Sequence, residues 1–302
     1  MHQHYYKDPN MKISRHLFPE SITEAIDLLR KGKGKACLIA GGTDFSVEIR
    51  EGSNDFEILI DTAKIPRLRE IELRDNEFFL GSGVTMARVE ENEAIQRGAG
   101  VLSQACGWVG GPQIRARATL GGNIVSAQPA ADAALALFAL DARLTIIGPE
   151  GKKTIQIEDA YRGVGESAIN SRKEIITSIR FRKHTEDEAS AFFRLMKRKA
   201  LTLPMLNCAV VVRKIGMKFD RVAIALGPVA PIPLRMKRAE ESLNGKPITR
   251  DLIIEAAQIS SEDASPRDSV FRGSGSYRKA MTRVIVTDAI KAALSQLNVE
   301  ID

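Results

Sequence analysis

The sequence predicts an α+β fold divided into subdomains, and three observations point to it. Short apolar strand candidates and helix candidates are interleaved along the chain. They do not recur as the repeated right-handed strand–helix–strand units of a parallel α/β sheet. At 302 residues the chain is also too long for one small core, which suggests two or three subdomains.

Ser21-Ile22-Thr23-Glu24 is a capping-box pattern, so a helix begins there and stops at Gly32 or Gly34. A strand over 36–40 follows. Residues 45–51 read as a short helix or turn that Gly52 ends, and 57–61 as a strand. Residues 68–76 and 78–80 form a hairpin that turns at Asp75-Asn76. Residues 85–96 and 101–108 read as helices, and Gly110-Gly111-Pro112 breaks the second. An alanine-rich helix over 131–140 packs tightly on something, and 144–147 pairs with 154–157 across Pro149-Glu150-Gly151. Residues 161–167 read as a glycine-containing loop and 174–181 as a strand. The charged run His184-Thr185-Glu186-Asp187-Glu188 is a subdomain boundary. Strands over 190–196, 206–213 and 219–226 come next. Pro228, Pro231 and Pro233 make a rigid connection, and helices over 238–243, 250–260 and 277–297 close the chain.

Two glycine turns stand out. Ala40-Gly41-Gly42-Thr43-Asp44 directly follows the first apolar strand. Thr119-Leu120-Gly121-Gly122-Asn123 opens a stretch that runs through a polar loop, ended by Pro129, into the apolar helix. Without a Cβ, glycine lets backbone N–H groups approach a ligand and adopts positive φ freely, and positive φ is expected at Gly121 and Gly122. Asn123 closes the second turn, and Asp132 suits the helix start. One Gly-Gly is commonly a plain turn. Two of them, each followed by a Thr, Asn or Asp, suit one elongated anionic ligand held from two sides, a phosphate-bearing cofactor.

Composition narrows the rest. The chain is 44% hydrophobic and 27% charged, as in an ordinary soluble globular protein. No run reaches the ~18 apolar residues of a membrane span. The first ten residues lack an apolar core and a cleavage site, so no secretory signal is expected there, only a lead-in. Cys37, Cys106 and Cys208 are far apart and form no Cys-x-x-Cys pair. They read as reduced core residues, with no metal or iron–sulfur site on this chain and a cytoplasmic location. The net charge of +6 is spread out, with mild basic density at 31–35 and 194–199, so a solvated face or subunit contact is expected, not nucleic acid. Of four histidines, two lie at the terminus. His16 and His184 fall outside every motif and read as surface residues, so no catalytic residue is assigned.

Ordered motifs carry a resemblance over nearly the whole chain. They are Leu38-Ile39-Ala40-Gly41-Gly42-Thr43-Asp44-Phe45, Gly81-Ser82-Gly83-Val84-Thr85-Met86-Ala87, Gly111-Pro112-Gln113-Ile114-Arg115 and Thr119-Leu120-Gly121-Gly122-Asn123-Ile124. Pro129-Ala130-Ala131-Asp132-Ala133, Leu140-Asp141-Ala142, Arg272-Gly273-Ser274 and Tyr277-Arg278 complete them. The chain resembles the FAD-binding medium subunit of the molybdenum hydroxylases, the xanthine dehydrogenase and carbon-monoxide dehydrogenase group.

That resemblance implies an FAD-binding fold similar to vanillyl-alcohol oxidase. Two α+β subdomains, 12–62 and 63–183, would hold FAD between them, and a C-terminal α+β subdomain, 189–302, would follow. It implies a large molybdopterin-binding subunit and a small subunit with [2Fe–2S] clusters as partners, and electron passage through FAD to NAD⁺ or another acceptor. Carried over by motif, Leu38, Ile39, Ala40, Gly41, Gly42, Thr43, Asp44 and Phe45 would bind FAD, as would Thr119, Leu120, Gly121, Gly122 and Asn123. Asp132 would contact FAD from the helix start. Val109, Ile176 and Arg194 fall where similar proteins touch the flavin. Flavin carries out its own redox chemistry, so no protein nucleophile or base is needed.

The sequence departs from some relatives. It lacks the cysteine-rich insertion that holds a [4Fe–4S] cluster in some reductases of the family, and 199–204 brings no aromatic residue toward the isoalloxazine. A stand-alone FAD oxidoreductase of the same fold is the alternative, though no proton donor for a substrate is evident. A scaffold that has lost its flavin is a third reading, opposed by the intact glycines.

Overall fold

The computed structural model describes residues 13–50, 55–198 and 201–301. The lead-in, Gly52 and the pair Lys199-Ala200 lie outside the described residues.

The described residues up to Asp61 form β1 (Arg15–Leu17), α1 (Ile22–Lys31), β2 (Ala36–Ile39), α2 (Phe45–Arg50) and β3 (Ile58–Asp61). The three strands are parallel, in the order β1-β3-β2. A small parallel unit with helical crossovers is therefore present, where the expectation was only that such units do not recur along the chain. Strands of three or four residues are too short to carry a readable period. The cap of α1 is as expected: Ser21 Oγ accepts the Glu24 N–H at 3.1 Å and Gly32 caps the end. The Glu24 carboxylate reaches back one residue past Ser21, to the Glu20 N–H at 2.8 Å. Ala25 and Leu29 of α1 close a core over Ile58, Ile60 and Leu68.

β4 (Ile71–Arg74) and β5 (Glu77–Leu80) form the expected hairpin, with Asp75 and Asn76 both at positive φ, 52° and 58°. This is the twist a tight two-residue turn needs. The single helix expected over 85–96 is two, α3 (Met86–Glu90) and α4 (Glu93–Gly98). Asn92 breaks it by accepting the Ile95 N–H at 3.0 Å as a new N-cap. α5 (Gly100–Gly107), α6 (Pro112–Arg115), α7 (Leu120–Val125) and α8 (Asp132–Ala139) follow. Then come β6 (Arg143–Gly148), β7 (Gly151–Gln156), β8 (Tyr161–Gly163), β9 (Glu166–Ser167) and β10 (Ile175–Arg182). The loop expected over 161–167 is a small hairpin about Gly165, at φ 71°. The main sheet here is antiparallel, β4-β5-β10-β6-β7. Its inner face, with Phe78, Leu80, Ile179, Phe181 and Leu144, packs on α5 and α8. Every residue of α8 is buried, which explains its alanines: a helix enclosed on all sides has room only for small side chains on its crowded faces.

β11 (Glu188–Leu195), β12 (Leu206–Ile215), β13 (Lys218–Gly227) and β14 (Leu234–Arg235) form an antiparallel sheet in chain order. α9 (Lys237–Leu243), α10 (Arg250–Asp263) and α11 (Gly275–Gln296) complete the fold. α9 and α11 contact this sheet, while α5 and α8 approach it from the preceding unit. With both faces covered, residues 206–212 of β12 are all buried and the usual alternation disappears. Arg278, buried on α11, donates to the carbonyls of Pro228 (2.9 Å) and Arg267, tethering the start of the proline-rich connection.

All three cysteines are buried, as expected of core residues. His184 is not a surface residue. Its side chain is 7% exposed, and its Nε2 lies 2.9 Å from Ser190 Oγ, which accepts the Val101 N–H at 3.1 Å. Burial lowers its pKa and so favours the neutral ring, which hydrogen-bonds Ser190, the residue that links β11 to α5. Among the described residues, no helix is long and apolar enough to cross a membrane.

Candidate cofactor site

β2 delivers the chain to a turn in which Gly42 takes a φ of 72°. A Cβ at Gly41 would overlap the carbonyl of Arg117, so only glycine lets this turn lie against the segment that leads into α7. The two glycine stretches, distant in sequence, thus become neighbours. Between them opens a cavity of about 370 Å³. Leu38, Ile39, Ala40, Gly41, Gly42, Thr43, Asp44 and Phe45 all line it, and so do Val109, Thr119, Gly122 and Asn123. A smaller cavity of about 100 Å³ also borders Gly122 and is lined by Gly121 and Ile176. The N–H groups of Gly41, Gly42 and Thr43 have no protein acceptor among the described residues. Successive free N–H groups at such a turn form an anion-binding concavity.

The second glycine pair works differently from the expectation. Gly121 and Gly122 are not at positive φ; they lie in the short helix α7, whose N-cap Thr119 accepts the Gly122 N–H at 3.1 Å. Gly121 is needed for close packing, since a Cβ there would stand 2.7 Å from Ser82 Cβ and 2.9 Å from its carbonyl oxygen. At Gly122 a Cβ would meet only Thr119 Oγ1, at 3.1 Å, and otherwise face open space. Asn123 does not simply close a turn. Its Oδ1 accepts the Ala134 N–H at 3.0 Å and ties α7 to the first turn of α8.

Three expected residues line neither cavity. Leu120 is buried in the core. Asp132 and Arg194 meet each other, with Arg194 Nε 3.5 Å from the Asp132 carboxylate and both side chains 6% exposed. Asn207 Nδ2 donates to the same carboxylate at 2.8 Å. Arg194 also donates to the carbonyls of Trp108 (3.1 Å) and Thr202 (2.6 Å), so the cluster joins α8 to β11 and β12. Burial pushes the Asp132 carboxyl up to about 6, against the opposing pull of Arg194 and Asn207. Desolvation outweighs the ion pair here.

The sequence reading missed Phe56, Ser171 and Arg172, which line the larger cavity. Phe56 stacks on Phe45 with ring centroids 5.2 Å apart, and the Arg172 guanidinium lies 5.8 Å from the Phe56 ring while pairing with Asp55. The Ser171 carbonyl accepts the Leu38 N–H at 3.0 Å and so fixes the approach of β2 to the turn. Nothing local marks these residues: Ser171 and Arg172 reach the site from a loop far along the chain, and Phe56 from the segment just before β3. Arg172 supplies a cation at the cavity that neither glycine motif contains.

The comparisons with known proteins decide the family. Residues 11–181 match the model of the FAD-binding domain in molybdopterin dehydrogenase, and 191–293 that of the CO dehydrogenase flavoprotein C-terminal domain. The chain belongs to the FAD-binding medium subunits of the molybdenum hydroxylases. It is 29% identical over 283 residues to a putative xanthine dehydrogenase FAD-binding subunit of Escherichia coli, covering 92% of this chain and 96% of that one. It is 30% identical to the nicotinate dehydrogenase FAD-subunit of Eubacterium barkeri, over 80% of this subunit and 83% of that one. A solved carbon monoxide dehydrogenase from Hydrogenophaga pseudoflava contains a chain that superposes with a TM-score of 0.89 at 29% identity, covering 94% of this subunit and 98% of that chain. The subunit is therefore an FAD-binding oxidoreductase component with the α+β fold of the carbon monoxide dehydrogenase medium chain. The cavity fits that cofactor: unsatisfied N–H groups at a glycine turn and a guanidinium suit a diphosphate, and Gly122 leaves open the space that a side chain would fill.

Proposed function

We propose that this subunit is the electron relay of a multi-subunit molybdenum hydroxylase. It passes electrons from [2Fe–2S] clusters on a small partner, by way of its FAD, to NAD⁺ or another acceptor; a large molybdopterin-binding partner oxidises the substrate. A cytoplasmic location belongs to the same reading, as does the division into subdomains 12–62, 63–183 and 189–302. The observation that carries it is the pairing of the 38–45 and 119–123 stretches around one cavity, on a chain that matches medium subunits nearly end to end.

In this reading Gly41, Gly42 and Thr43 hold the diphosphate with backbone N–H groups, and Thr119, Gly122 and Asn123 form the opposite wall. Arg172 adds charge, and Phe45, Phe56 and Val109 keep water from the apolar part of the ligand. Gly121 and Ile176 lie at the adjoining small cavity. Asp132 and Arg194 brace the junction with the third sheet beside it. Flavin, when bound, supplies the one- and two-electron chemistry.

The purified subunit should carry a flavin that dithionite bleaches and acid precipitation releases. It should hydroxylate no purine, aldehyde or N-heterocycle until both partners are added. Steady turnover of such a substrate by metal-free subunit alone would overturn the relay and favour a stand-alone oxidoreductase.

A further inference from the structure

The outer face of the five-stranded sheet brings arginines together at one end. Register sets Arg180 of β10 directly opposite Arg143 of β6. Arg182, two residues on along β10, shares that face and sits opposite Glu77. Like charges facing each other across neighbouring strands repel.

Arg143, Arg180 and Arg182 line a cavity of about 290 Å³ where this sheet meets β12 and β13, with Arg213 and Arg221 also on its wall. The acids nearby are largely engaged. Asp220 pairs with Arg213, Glu188 and Asp141 pair with Arg221, and Asp141 also takes Arg235. No ion pair is formed by Arg143, Arg180 or Arg182 among the described residues, and on the wall of this cavity Glu77 is the carboxylate not already paired with another arginine.

We propose that this crevice binds a phosphate group, either as inorganic phosphate or pyrophosphate or on a small phosphorylated molecule. Guanidinium groups match phosphate oxygens in planar, two-pronged hydrogen bonds. At about 290 Å³ the cavity has room for a small phosphate together with the side chains that would bind it. It shares no lining residue with the cavity at the glycine turns. Bound there, a phosphate would bridge the second and third sheets and offset the repulsion between Arg143 and Arg180.

The test is thermal unfolding of the FAD-saturated subunit in phosphate against chloride at equal ionic strength. FAD saturation keeps phosphate out of the cofactor cavity. Phosphate should raise Tm saturably, and pyrophosphate and glycerol phosphate, tried separately, show whether a free or a substituted phosphate is preferred. The double variant Arg143→Gln/Arg180→Gln should keep its flavin and bind phosphate at least about tenfold more weakly. In chloride, Arg143→Gln alone should melt higher than the unaltered subunit, because a repulsion is removed. A phosphate effect no larger than that of chloride, or one that survives the double substitution, would overturn the proposal. So would a rise given by polyglutamate and not by phosphate, which would assign the crevice to an acidic protein segment.

Discussion

Gly122→Val should fold normally and lose its flavin. Gly122 has helical backbone geometry, so valine meets no positive-φ strain there, and the cost to the fold is confined to a tight contact with Thr119 Oγ1 at 3.1 Å. Weakening that N-cap costs about 1 kcal/mol. The added methyl groups, however, project into the cavity between the two glycine stretches. Losing even one hydrogen bond to the charged diphosphate forfeits about 1.5–3 kcal/mol, a tenfold weakening or more. The far-ultraviolet circular dichroism should match that of the unaltered subunit, while FAD content after gel filtration falls at least about tenfold. Full flavin content in this variant would remove Gly122 from the site.

Arg194→Met should be the most destabilising single change in the cluster that joins α8 to the third sheet. Both charged side chains are almost wholly enclosed, so removing the cation leaves the Asp132 carboxylate buried without its partner. Breaking a buried pair from one side costs about 3–5 kcal/mol. The loss should depend on pH, and its sign follows from Asp132. With Arg194 present that carboxyl already titrates at about 6, above its ordinary value of about 3.9, and without the guanidinium it moves higher. Between those values the native state binds more protons than the unfolded chain, so stability from this group increases as pH falls. Urea unfolding should therefore show the full deficit near pH 8 and a smaller one near pH 5, where a neutral carboxyl needs no cation. A deficit that is flat with pH, or that grows toward acid, would show that Asp132 is not the group left behind.

The legibility of this chain followed the range of its interactions. Where one turn of helix or one hairpin decides the structure, residue types sufficed: Ser21 and Glu24 start α1, and Asp75-Asn76 turn β4 into β5. The approach of Gly41 to Arg117 is a long-range contact, yet it could be found because one end is a glycine turn and the other leads directly into the second glycine stretch. Arg172 could not, since it becomes part of the site only when a distant loop folds over β2, and Phe56 carries no motif beside β3. His184 misled for the same reason: a histidine in a charged run reads as surface until β11 packs on α5 and encloses it. The helical state of Gly121 and Gly122 was hidden by propensity. Glycine is a poor helix former, and here packing against Ser82 and the Thr119 cap override that preference. Asp132 was legible as a helix-start carboxylate, but its pairing with Arg194 and Asn207 depends on the third sheet closing against α8.

The central claim is that residues 38–45 and 119–123 hold one FAD by its diphosphate. The most direct measurement is a crystal structure of the subunit purified with its flavin. The diphosphate is expected within hydrogen-bonding distance of the Gly41, Gly42 and Thr43 N–H groups, with Gly122 facing it across the cavity. An FAD whose diphosphate lies away from both glycine stretches, or electron density for flavin elsewhere on the chain, would contradict it.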